Sequence, residues 1–127
     1  MKLSSQSING LKVMYFLALT DFERYISVST ISLNTSVSEK YLEKILRCLK
    51  KANLIVSSKG TDGGYKLINS PQVITCGQIL RALENLSFKS ESQNKEVNFV
   101  FEKMFNSINS TLDNIKLQDI IEENKGR

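Results

Sequence analysis

Ser38-Glu39-Lys40-Tyr41-Leu42-Glu43-Lys44-Ile45-Leu46-Arg47-Cys48-Leu49-Lys50-Lys51 is the stretch that decides the fold. Leu42, Ile45, Leu46 and Leu49 recur at helical spacing, so one face of a helix over Glu39–Lys51 turns to a core. Ser38 is placed to cap it, and Glu39 stands in the first turn, where the helix dipole favours negative charge. The opposite face carries Lys40, Glu43, Lys44, Arg47, Lys50 and Lys51. After Ala52-Asn53, Leu54–Ser58 reads as a strand and Lys59-Gly60-Thr61-Asp62-Gly63-Gly64 as a turn. Tyr65-Lys66-Leu67-Ile68 then reads as the returning strand of a hairpin.

Upstream, Ser7–Leu19 reads as a helix with a wide apolar stripe that includes Ile8, Leu11, Met14 and Leu17. Ile26-Ser27-Val28 fits either a short strand or the entry to the next helix. Ser29–Asn34 reads as a short helix anchored by Ile31 and Leu33, joined to the basic helix by Thr35-Ser36-Val37. Helix, helix, basic helix and hairpin, in that order, make a winged helix-turn-helix. Downstream, Thr75 caps a helix over Cys76–Leu86, and Ser87–Lys95 is a polar loop. A long helix over Glu96–Ile115 follows, and Leu117, Ile120 and Ile121 mark a last short helix.

The fold class expected is therefore mainly α with a small β-hairpin: a winged helix-turn-helix over residues 1–86. Residues 87–127 supply the loop, a long helix for dimerisation and the short terminal helix. In the long helix Val97, Val100, Phe101, Met104, Phe105, Ile108 and Leu112 recur near heptad spacing. That stripe suits pairing with a second copy; packing on the chain's own N-terminal helices is the alternative.

Charge and composition narrow the function. Residues 1–70 carry ten Lys/Arg against five Asp/Glu, and residues 71–127 carry seven against eight. The front half is thus the part suited to a polyanion. The chain has no histidine, no phosphate-binding loop and no paired acids at a plausible site, which argues against an enzyme. No apolar run is long enough for a membrane span, and two cysteines make no disulfide framework, so a cytoplasmic protein is expected. A major groove admits one helix, and five cations fall within residues 40–51. Tyr41, Glu43, Lys44 and Arg47 lie where a recognition helix reaches base edges. A solvated amphipathic helix and an ordinary hairpin turn are the plainer readings of the same residues.

The run Ser38–Leu46, followed by Leu54–Leu67 with Lys59-Gly60 and Gly63-Gly64-Tyr65-Lys66-Leu67, resembles the Rrf2 family of bacterial regulators. The likeness extends over nearly the whole chain. It implies a winged-helix domain, a crossed dimerisation helix and binding to double-stranded DNA near promoters, usually as a repressor. Carried over by position, the DNA-binding residues would be Ser38, Lys40, Tyr41, Glu43, Lys44, Arg47 and Lys51, with Lys59, Gly60 and Gly63 in the wing. Relatives with Arg in the wing push it into the minor groove. Lys59 stands there in this chain, a point charge without the planar fork. Cluster-binding relatives place three closely spaced cysteines in the loop at Ser87–Lys95, and this chain has none. A cluster-free homodimer with no cofactor is expected, released by a small molecule, a thiol signal or a partner protein. Cys48 and Cys76 read either as redox-responsive thiols or as small hydrophobes. An adaptor that keeps the fold without binding DNA is the rival reading.

Overall fold

A computed structural model describes residues 2–84, 86 and 94–125. Helices α1 (Ser5–Leu19), α2 (Val28–Thr35) and α3 (Glu39–Lys51) precede an antiparallel hairpin of β1 (Ile55–Ser58) and β2 (Gly64–Leu67). Helices α4 (Cys76–Leu83), α5 (Lys95–Asp113) and α6 (Leu117–Glu123) complete the chain. The fold is the mainly helical winged helix-turn-helix with a small hairpin that the sequence indicates.

The core gathers around α1. Val13, Met14 and Leu17 pack with Ile31 of α2, Leu42, Ile45, Leu46 and Leu49 of α3, Ile55 and Leu67 of the hairpin, and Ile79 and Leu83 of α4. Helix α1 begins at Ser5 rather than Ser7 because Ser4 caps it, accepting from the Ser7 N–H. The Glu84 carboxylate then takes the Ser4 N–H at 2.8 Å and the buried Ser7 hydroxyl at 2.7 Å. Ile8, expected in the apolar stripe, stands half exposed.

Two local expectations fail in α2 and α4. Leu33, read as an anchor of α2, is 83% exposed, and Thr35 is buried in its place. Thr35 can go in because its hydroxyl donates to Ile31 O at 2.6 Å, satisfying its polar atom inside the helix. Helix α4 stops at Leu83, with Glu84 already extended, although Leu86 is still buried. The loop expected over Ser87–Lys95 lies outside the described residues as far as residue 93. At its end Asn94 caps α5, accepting from the Val97 N–H.

The last helix, grouped by sequence with residues 87–127, packs against the main core. Leu117 is fully buried and belongs to the main core. The Cys76 N–H donates to Ile115 O at 2.7 Å, the Leu117 N–H to Ile74 O at 2.8 Å and the Gln118 N–H to Pro71 O at 3.0 Å. By contrast α5 has no buried residue. Among the described residues no helix is long and apolar enough to cross a membrane.

Candidate nucleic-acid interface

Helix α3 presents the site. The turn into it is tight: Ser36 takes a left-handed conformation (φ 61°), and the Ser32 hydroxyl donates to Val37 O at 2.6 Å. Val37 is thereby buried. Ser38 then caps α3, its hydroxyl accepting from the Tyr41 N–H at 3.2 Å. With Leu42, Ile45, Leu46 and Leu49 fixed inward, Ser38, Lys40, Tyr41, Glu43, Lys44, Arg47, Lys50 and Lys51 are all exposed. Among the described residues, none of these cations is in an ion pair. Their charge is therefore free for a polyanion, and the Tyr41 ring stands in the open beside it.

The wing is set beside α3 by a third segment. Ile26 pairs with Tyr65 through two backbone bonds of 2.8 Å, extending the hairpin by one bridge. Gly64 makes this approach feasible: it has φ +145°, and a Cβ there would lie 2.1 Å from Ile26 O. Gly60 (φ +106°) turns the tip, with Lys59 exposed beside it. Gly63 is part-buried and meets the backbone, since a Cβ there would lie 2.3 Å from Ser58 O. The sequence-derived DNA-binding residues thus fall on two neighbouring surfaces, the outer face of α3 and the wing.

The same bridge brings forward residues the sequence reading left unassigned. Ser27, the N-cap of α2, borders a groove with Lys50, Ser57, Lys59 and Tyr65. A second hollow is lined by Glu23, Arg24, Tyr25, Thr30, Thr61 and Asp62. Lys66 lies over the Tyr25 ring, 4.8 Å from its centre. Nothing local in the sequence places Arg24 near the wing.

The two thiols differ. Cys48 is part-buried on α3 and receives a long bond from Gln6 Nε2 at 3.7 Å. Cys76 is buried at the start of α4. Burial pushes its pKa up, with Asp119 adding to the rise, which favours the small-hydrophobe reading of Cys76 over the redox-responsive one.

A family model described as Rrf2, iron-dependent transcriptional regulator, matches residues 3–123. The chain belongs to the Rrf2 family. The Rrf2 likeness extends to curated relatives. Protein rrf2 of Nitratidesulfovibrio vulgaris (strain Hildenborough) is 36% identical over 86 residues, 68% of this chain and 57% of that protein. The HTH-type transcriptional regulator CymR of Bacillus subtilis is 39% identical over 84 residues, 66% of this chain and 61% of that protein. The matched stretch is thus less than two thirds of either relative's own length. Among solved structures, CymR (YrzC), the global cysteine regulator of B. subtilis, superimposes with a TM-score of 0.82 at 29% identity. That match covers 98% of this chain and 99% of the other. IscR of T. potens gives 0.80 at 34% identity, covering 97% and 88%.

The chain has two cysteines and no histidine, and the thiols lie on different helices. Residues 87–93, Ser-Phe-Lys-Ser-Glu-Ser-Gln, bring one carboxylate and no thiol. Among the described residues no three His, Cys, Asp or Glu side chains come together as metal ligands. These residues do not fit an iron–sulfur cluster, which is held by several thiolates.

Proposed function

We propose that this chain is a DNA-binding transcriptional regulator that grips a pseudo-palindromic promoter site as a homodimer, represses from it, and works without an iron–sulfur cluster. The observation that carries the reading is the open face of α3. A capped, core-anchored helix displays Lys40, Lys44, Arg47, Lys50 and Lys51 beside a glycine-tipped wing bearing Lys59. Cations supply salt-dependent affinity for phosphates, while Tyr41, Glu43 and Arg47 discriminate bases. An Arg donates two bonds to guanine, and a Glu accepts from the cytosine amino group.

Dimerisation is supported by α5. Val97, Val100, Phe101 and Met104 are each between 38% and 60% exposed, along one side of a 19-residue helix. These open apolar side chains over residues 97–104, continued by part-buried Phe105, Ile108 and Leu112, suit an interaction surface. Two-fold pairing would hide it and set two recognition helices on one face of the duplex.

The experiment is selection of genomic fragments by the purified protein, followed by sequencing of what it retains. A few promoter fragments sharing an inverted repeat are expected. Fragments with no shared sequence, or none retained at low salt, would favour the adaptor reading instead.

A further inference from the structure

Helix α5 buries no residue, so an apolar core does not fix its direction. Phe105, Ile108 and Leu112 are only part-buried, and its last two turns carry a set of polar contacts to α4. From α4, the Arg81 guanidinium donates through one nitrogen to Asn109 Oδ1 at 2.9 Å and pairs through another with the Asp113 carboxylate. Asn109 and Asp113 stand one helical turn apart, so the planar fork of Arg81 spans both. The Asn109 amide donates in turn to Leu86 O at 2.9 Å, tying α5 to the chain that leaves α4.

Gly77 makes the close approach feasible. A Cβ there would lie 2.1 Å from Asp113 Oδ1 and 2.9 and 3.0 Å from the guanidinium nitrogens. Immediately beyond Asp113, the backbone bonds from Cys76 to Ile115 and from Leu117 to Ile74 fix a pivot. Among the described residues, this pivot and this polar clasp both link the winged domain to α5.

We propose that Arg81, Asn109 and Asp113 form a clasp that sets the angle between α5 and the winged domain, and thereby the half-site spacing that the protein accepts. The inference rests on the dimeric, DNA-binding reading above. In such a dimer α5 is fixed against its counterpart, and each winged domain hangs from the pivot. For a swinging arm of roughly 28 Å, about the length of a helix of this size, a change of about 7° at the pivot displaces the far end by about 3.4 Å. That is the rise of about one base pair, so a small loosening of the clasp is felt as a step in spacing.

The test uses the full chain and an inverted repeat recovered by it from a random-sequence duplex library. Half-sites are then moved apart or together by single base pairs. Arg81→Met removes the fork. Gly77→Ala puts a methyl where the Asp113 carboxylate sits, in a helix where Ala is the better helix former, so it opens the clasp without costing α4. Wild type is expected to favour one spacing. In both variants dimer mass and helical content stay as in wild type, while discrimination against neighbouring spacings falls about fivefold, the most an exposed ion pair sustains. Arg81→Lys, which reaches one partner but cannot span two, falls between. Folded, dimeric Arg81→Met and Gly77→Ala proteins with the wild-type spacing profile would overturn the clasp. Wild-type binding indifferent to spacing would instead overturn the dimeric reading on which it rests, and needs no variant to detect.

Discussion

Arg47 and Lys51 stand one turn apart on the open face of α3, yet their chemistry assigns them different work. A guanidinium matches a guanine edge with two parallel bonds, whereas an ammonium in the last turn is a point charge beside phosphates. Arg47→Ala should cost about 1–3 kcal/mol on the preferred site and relax base preference at one position. Lys51→Ala should weaken all duplexes alike and lower the salt slope of binding by about one. Anisotropy titrations across a salt series separate the two; equal, sequence-independent losses would contradict the division. Gly64 is the residue on which the wing's placement turns, because its backbone meets Ile26 with no room for a side chain. Gly64→Ala should break the Ile26–Tyr65 bridge and destabilise the fold by about 2 kcal/mol or more. Urea denaturation with an unchanged midpoint would show that this approach is not needed.

At the scale of elements, Glu84 joins the end of α4 to the first turn of α1. Bonds from the Ser4 N–H and the Ser7 hydroxyl hold its carboxyl below the ordinary carboxylate value. Those bonds exist only in the folded chain, so the folded pKa is the depressed one. Their contribution is full above the ordinary value of 4.5 and is lost as pH falls through the folded value. Thermal melts in acid should therefore drop with falling pH, and Glu84→Gln should flatten that part of the profile. A wild-type and variant pair with parallel acid profiles would count against the link. How well each element could be read from the sequence follows from how local its cause is. Helix α3 was legible to its ends because its cap, dipole charge and leucine spacing all lie within the segment. Leu33 misled because two turns of helix give too few positions to fix a face, and Thr35 hides its own hydroxyl. The α3 and wing residues of the candidate site could be read from sequence. The surfaces holding Arg24, Ser27 and Tyr25 could not, since a bridge between Ile26 and distant Tyr65 creates them. The buried docking of α6 had the same kind of cause, a backbone bridge from Thr75 to Lys116.

The molecule as a whole divides its labour between a core that seals the winged domain and a helix with no fully buried residue. Phe101 and Met104 are two exposed large side chains of the open stripe that the sequence assigned to dimerisation. Phe99, 61% exposed on another side of α5 under Lys103, was outside that assignment because it breaks the heptad spacing. Replacing both Phe101 and Met104 by Asp should give a folded monomer, because the charges would be buried unpaired at the seam and are harmless in water. Sedimentation would show half the wild-type mass with an unchanged circular dichroism spectrum; a persisting dimer would move the interface elsewhere. The central claim, specific binding of a two-fold site by two chains, is tested most directly by equilibrium binding to three duplexes. These are a selected inverted repeat, one half-site alone, and a scrambled duplex of equal composition, all at one fixed salt concentration. The account predicts two chains per inverted repeat, a weaker half-site, and a scrambled duplex bound about a thousandfold or more less tightly. Equal affinity for all three would contradict it.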